Sequence, residues 1–178
     1  MDISNVNNGK GDFEGMAAVY CRVHHPANPE NYLERMKERI QKHAGYPGFR
    51  ALKAINDTGV PVGIAYGYTS MPGQFYRSKI ESFLDEQERR AWLDNCFEFV
   101  ELAVDPAYQR MQIGSKLHDA LLKESSDHAV SILTTQVDNR AAKSLYESKG
   151  WKVIKYAIRP VETSPLLTLM GNSQLSGF

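Results

Sequence analysis

The sequence predicts an α/β protein, with a mixed central sheet flanked by helices on both faces. Three observations carry that prediction. Two helical segments precede any strong strand, a hairpin pattern follows them, and from residue 96 onward strand and helix patterns alternate. The chain has 178 residues, of which 42% are apolar and 24% charged, enough for one buried core without metal or disulfide staples. With no repeat, linker or composition break, residues 1–178 read as a single domain.

Besides Met1, the first eleven residues offer only Ile3 and Val6 as apolar positions, so an opening strand is expected to be weak or missing. Asp12 reads as the N-cap of a first helix, with Phe13, Met16, Ala17, Tyr20 and Cys21 at helical spacing until Pro26 ends it. Asn28 caps a second helix opened by Pro29 and closed by Gly45 and Pro47, with Leu33, Met36 and Ile40 as its buried stripe. Residues 49–55 and 60–68 are strand-like, and Asn56, Asp57, Thr58 and Gly59 between them are turn formers, as in a hairpin.

Residues 71–95 read as a helical insertion. A single helix over 78–92 is expected there, with Ser78 and Glu81 as its capping box. The nearly continuous apolar run 96–104, broken by Glu98 and Glu101, suits a central strand covered on both faces. Ile113, Leu117, Ala120 and Leu121 mark a long helix, 130–137 a strand, and Asn139 the cap of a helix through Tyr146 that ends at Gly150. Residues 151–158 and 166–170 close the chain as strands.

Composition narrows the function. Lys plus Arg and Asp plus Glu both total 21, so there is no net charge to draw the chain to nucleic acid or an anionic membrane. No stretch approaches a membrane span, and the first fifteen residues are polar rather than a targeting signal. The two cysteines, Cys21 and Cys96, lack a CxxC spacing, which suits a reduced, cytoplasmic protein. Cys21, His24 and His25 share a helix end and could each bind a metal, but no further ligand cluster joins them, so no metal is expected. His118 and His128 are expected to be solvated rather than catalytic.

The chemistry is concentrated where the strand 96–104 turns at Asp105 and Pro106 and enters a helix through Gln109 to Gly114. The first turn of a helix leaves N–H groups without intrahelical partners and carries the positive end of the dipole, which favours phosphate oxygens. Gly114 lets a ligand approach the backbone, and Ser115 adds a hydroxyl.

The stretch Gln109, Arg110, Met111, Gln112, Ile113, Gly114 resembles the pyrophosphate-binding motif of the GNAT superfamily of N-acetyltransferases. That motif reads Gln or Arg, two residues, Gly, one residue, then Gly or Ala. Some thirty residues later, TTQVDNRAAKSLYESKGW resembles the second family signature, in which an Asn opens a helix holding an "LY" pair and "GW" starts the next strand. The signature motifs span residues 97–156. Gln112 stands where the family usually has glycine, and Arg110 where many members have another.

The resemblance implies an α/β fold whose mixed central sheet is mostly antiparallel, with six to seven strands and helices on both faces, and acetyl transfer from acetyl-CoA to a primary amine of a small molecule or peptide, by direct attack in a ternary complex and without metal. It places the pantetheine arm on the main chain of Leu102 and Val104, the pyrophosphate on Gln109 to Ser115, and Asn139 beside the cofactor. Tyr146 matches the tyrosine that protonates the leaving thiolate, and packing in the core is its structural alternative. Attack needs a neutral amine, so a carboxylate base is useful. Glu98 and Glu101 are both candidates, Glu98 lying eleven residues before Gln109, where the histone-acetylating branch places its base. In a regular strand the two alternate faces, and a bulge would change that parity.

Thr134, Thr135 and Gln136 stand where the subgroup acting on protein N-termini carries a glutamate, which argues against a close match to it. Phe75, Tyr76 and Trp92 of the insertion are candidates either for an acceptor pocket or for sealing the added helix onto the sheet. Families of this kind often form homodimers. The alternative to an enzyme is a catalytically silent acyl-CoA-binding or sensing module of the same fold.

Overall fold

The computed structural model describes residues 1–7 and 9–173; residue 8 and residues 174–178 of the predicted domain lie outside it. Among the described residues, seven strands form an open, mostly antiparallel sheet with six α-helices. In chain order these are β1 (Asp2–Asn5), α1 (Lys10–His24), α2 (Pro29–Ala44), β2 (Arg50–Ile55), β3 (Pro61–Thr69), α3 (Phe75–Glu81) and α4 (Glu86–Leu93). There follow β4 (Cys96–Val104), a 3-10 turn (Pro106–Tyr108), α5 (Ile113–Glu124), β5 (Val130–Gln136), α6 (Arg140–Ser148), β6 (Lys152–Ile158) and β7 (Leu167–Ser173). The strand order is β1-β2-β3-β4-β5-β7-β6.

The chain divides into two compact units, Met1–Tyr68 with Val100–Ser125, and Thr69–Phe99 with the residues from Ser126 onward. In the first, α1 and α2 lay Phe13, Met16, Val19 and Ile40 on Ala51, Ile64, Tyr66 and Ala103. α5 meets β3 so closely that a Cβ at Gly63 would lie 2.9 Å from Leu117 and 3.1 Å from Ile113. In the second unit, Ile80, Leu84 and Leu93 of the insertion cluster with Cys96, Val130, Ile132 and Leu169.

Four expectations need correction. The opening strand exists: β1 pairs antiparallel with β2, Ile3 facing Ala54, because main-chain bonds supply what its apolar side chains do not. Gly9, not Asp12, is the N-cap of α1. Asp12 lies in the first turn, accepts from the Asn7 amide and pairs with Lys53, a place where the helix dipole also favours an anion. The insertion is two helices rather than one. Asp85 and Glu88 form the reciprocal capping box that opens α4, whereas Ser78 sits inside α3 with its hydroxyl donating to the Gln74 carbonyl. Finally, His118 and His128 are buried rather than solvated. His118 Nδ1 lies 2.9 Å from Asp119, and His128 is held between Asp127 at 3.1 Å and the Thr69 hydroxyl at 2.9 Å.

Candidate active site

In the first unit, β4 ends in a turn built around Asp105. Its amide donates to the Val62 carbonyl at 2.9 Å, and its side chain accepts from the Ala107 amide at 3.0 Å, capping the 3-10 turn. Asn56 reaches the Tyr108 hydroxyl at 3.0 Å, and the Gln109 side chain donates back to the Val104 carbonyl at 3.2 Å. The chain then passes through Arg110 at φ 64° and Gln112 at φ 61° before α5 begins. Both residues are left-handed, a conformation that costs a residue with a Cβ about 1 kcal/mol or more. These are the two positions at which the resembling family favours glycine, the residue that adopts such φ values without strain.

Gln109, Arg110, Met111 and Gln112 are exposed, while Ile113 is buried and anchors the start of α5. A Cβ at Gly114 would meet only Val104, at 3.7 Å, so the main chain there is approachable. Ser115 is half-buried beside it. With the amides of the first turn of α5, this stretch fits a pyrophosphate chemically.

Further back on β4, Val100 and Ala103 both pack on the α1–α2 cluster, a spacing that strict alternation does not allow. Between them Glu101 meets Arg39 of α2 at 3.3 Å and hydrogen-bonds the Tyr20 hydroxyl. Arg39 also donates to the Tyr66 hydroxyl at 3.4 Å and lies over the Tyr20 ring at 5.2 Å. Tyr66 in turn is 3.1 Å from His43 Nδ1. Burial pushes the Glu101 carboxyl up, against the opposing pull of Arg39 and Tyr20. Burial and then the Arg39 charge push the His43 imidazole down to about 4, so it is neutral near pH 7. This cluster escaped the sequence reading. The available signal was Tyr32, Arg39 and His43 at i, i+7 and i+11, a polar line beside the apolar stripe of α2.

In the second unit, β4 pairs parallel with β5 over Cys96–Glu98 and Val130–Ile132, so Glu98, facing Ile132, closes that register. Leu102 and Val104 lie on the part of β4 that belongs to the first unit. Glu98 is 4% exposed and accepts from the Ser70 hydroxyl at 3.4 Å. Buried Arg77 reaches the same hydroxyl at 3.4 Å, as well as the Ser70 and Leu93 carbonyls, and pairs with Glu81 at 2.7 Å. Asn139 caps α6 through its side-chain oxygen, which accepts from the Ala142 amide at 3.1 Å and leaves the amide nitrogen to other uses. Tyr146 is buried, its ring 5.9 Å from Trp151, which meets Phe99 edge-on.

Of the insertion's aromatics, Trp92 packs in the second core and Tyr76 joins it while bonding to the Thr134 hydroxyl at 2.9 Å, so both seal the added helices. Phe75 is exposed. At the end of α1, Cys21 points its thiol at the Pro29 carbonyl and the His24 ring lies tilted against Tyr20, 4.4 Å between centroids. Among the described residues no group of three or more His, Cys, Asp or Glu could hold a metal, and no helix is long and apolar enough to cross a membrane.

A profile of the acetyltransferase (GNAT) family matches residues 17–151. No curated protein matches the chain. Among solved structures it is similar to an aminoglycoside 6'-N-acetyltransferase complexed with coenzyme A, at 16% identity over 98% of both chains with a TM-score of 0.69. It is also similar to a ribosomal-protein-alanine N-acetyltransferase from Brucella melitensis, at 19% identity over 97% of this chain and 99% of that one, TM-score 0.63. A third is the PaiA N-acetyltransferase from Thermoplasma acidophilum in complex with coenzyme A, at 17% identity over 97% and 99%, TM-score 0.63. At such identities the likeness is one of fold.

Proposed function

Since the chain belongs to the GNAT acetyltransferase family, we propose that it moves the acetyl group of acetyl-CoA to a primary amine of a small molecule or a peptide, by direct attack in a ternary complex. The observation that carries this reading is the turn from β4 into α5, which keeps the left-handed residues and the approachable Gly114 that a pyrophosphate cradle needs. In this reading Gln109 to Ser115 bind the pyrophosphate, the main chain of Leu102 and Val104 holds the pantetheine arm, and the Asn139 amide contacts the cofactor. Binding the carrier far from the thioester supplies positioning energy to the reacting end.

Glu98 accepts the proton that the ammonium must lose, directly or through a water, and the amine nitrogen then attacks the thioester carbon. A main-chain N–H of β4 meets the charge that develops on the carbonyl oxygen. As the C–S bond breaks, the Tyr146 phenol gives its proton to the departing thiolate, and the second proton that the nitrogen sheds on becoming an amide restores the phenol through solvent. Two features support Glu98: its place eleven residues before Gln109, and its position at the end of the β4–β5 register. One observation favours Glu101 as the base instead, the raised carboxyl beside Tyr20.

Calorimetric titration with acetyl-CoA, followed on the same sample by thiol release with a panel of amines, tests the reading. Binding with amine-dependent release is expected. Binding without release under any amine supports a silent acyl-CoA-binding module, and failure to bind overturns the assignment of the loop.

A further inference from the structure

The turn that leads into the proposed pyrophosphate loop is held from outside by a residue of α1. Arg22 lies in the last turn of that helix, where the dipole favours a cation. Its guanidinium reaches two points at once: Nε donates to Asp105 Oδ2 at 2.5 Å, and Nη2 to the Pro61 carbonyl at 2.5 Å. Pro61 is the first residue of β3, and Asp105 follows the last residue of β4. One planar fork thus ties the start of one strand to the end of the next.

Asp105 is the hinge of the turn. Its Oδ1 caps the 3-10 turn, its amide is tied to Val62, and its carbonyl accepts from the Tyr108 amide at 2.8 Å. Arg22 takes the remaining carboxylate oxygen. Two residues after Tyr108 the chain enters left-handed space at Arg110, and again at Gln112. Such conformations persist in residues with a Cβ only when their surroundings over-determine them. The left-handed pair needs a fixed upstream end, and the Arg22–Asp105–Pro61 clamp provides it.

We propose that Arg22 is a positioning residue for the pyrophosphate of coenzyme A: it touches no part of the cofactor and acts by holding Asp105, so that the loop 109–115 presents its amides in a preset arrangement. The inference rests on the loop being the pyrophosphate site, as proposed above. Its energy comes from preorganisation, since a loop already in its bound shape loses less conformational freedom on binding. Lysine replaces the fork only in part, because an ammonium on a single stem keeps the charge but cannot copy a planar bidentate donor.

The test compares wild type with Arg22→Met, Arg22→Lys and Asp105→Asn. Calorimetry measures affinity for coenzyme A, ligand-observed NMR measures affinity for acetylpantetheine, which lacks the pyrophosphate, and melting checks the fold. Asp105→Asn keeps an oxygen for the Ala107 cap while removing the charge pair, and serves if Arg22→Met does not fold. The expected result is a loss of about tenfold in coenzyme A affinity for Arg22→Met and Asp105→Asn, a smaller loss for Arg22→Lys, and unchanged acetylpantetheine affinity. Wild-type coenzyme A affinity in all three variants overturns the inference and leaves the loop assignment standing. Equal losses for both ligands also overturn it, because Arg22 is then only a structural tie. Failure of the wild type itself to bind coenzyme A overturns the loop assignment and the inference with it.

Discussion

Glu98 and Glu101 stand three residues apart on β4 and live in different chemistry. Glu98 is sealed in, 4% exposed, with a serine hydroxyl on its carboxylate and an arginine beyond it that is committed to main-chain carbonyls and to Glu81. Glu101 keeps 14% of its side chain exposed and heads a polar chain, bonding Tyr20 and Arg39 directly and reaching Tyr66 and His43 through Arg39. Position along a strand therefore says little about what a carboxylate can do. The helix packed over it decides, α3 through Arg77 in one case and α2 through Arg39 in the other.

The most severe way to break this comparison is to neutralise each carboxylate in turn. Glu98→Gln is expected to lower kcat by about 10²–10⁴-fold at unchanged coenzyme A affinity, with Glu101→Gln losing clearly less. Steady-state kinetics with a working amine decide it, and a larger loss in Glu101→Gln exchanges the two roles. Tyr146→Phe is expected to reduce kcat by about 10²-fold while calorimetry finds coenzyme A binding intact; weakened binding at unchanged kcat would remove the acid role.

The arginines test the same contrast through stability. Arg77→Met strands buried carbonyls and Glu81, and denaturant melts are expected to show a loss of about 3 kcal/mol. Arg39→Met acts on a pair whose side chains are 36% and 14% exposed, so solvent screening holds the expected loss to about 1–2 kcal/mol.

A pH series sharpens the Glu101 side alone. The His43 imidazole sits at about 4 in the folded chain against about 6.5 when unfolded. Between those values the unfolded chain holds the extra proton, so stability rises with pH through that window and is lost as pH falls. His43→Asn is expected to flatten the melting temperature between pH 6.5 and 4.5, whereas an unchanged slope would assign it to other groups. The smallest effect belongs at the far end of β4. Gln112→Gly is expected to gain about 0.5–1 kcal/mol by relieving left-handed strain, partly offset by unfolded-chain entropy, as read by melting.

Much of the fold could be read from residues whose effect is local. The turn Asn56 to Gly59, the Asn28 cap and the Asn139 cap all work within four residues, and each appears where the sequence places it. Long-range partners decided the rest. β1 was obscure because β2 holds it by main-chain bonds, and Asp12 looked like a cap because its partner Lys53 is 41 residues away. Ser78 with Glu81 and Asp85 with Glu88 present the same spacing, and only the fold chooses the second. His118 and His128 lack any local mark of burial. In the candidate site the loop and the α6 cap were legible as motifs, while the Arg39 and Arg22 contacts join residues 62 and 83 positions apart and had no local signature.

Trp92 closes the insertion over β7 at Gly171, where a Cβ would collide with the indole ring and with Ile154. The insertion therefore fits only a β7 that carries no side chain at this position. Grafting residues 71–95 onto a relative with any larger side chain at the matching position of β7 would leave the indole without its seat. Deleting α4 from this chain would in turn open a notch in the sheet one side chain deep.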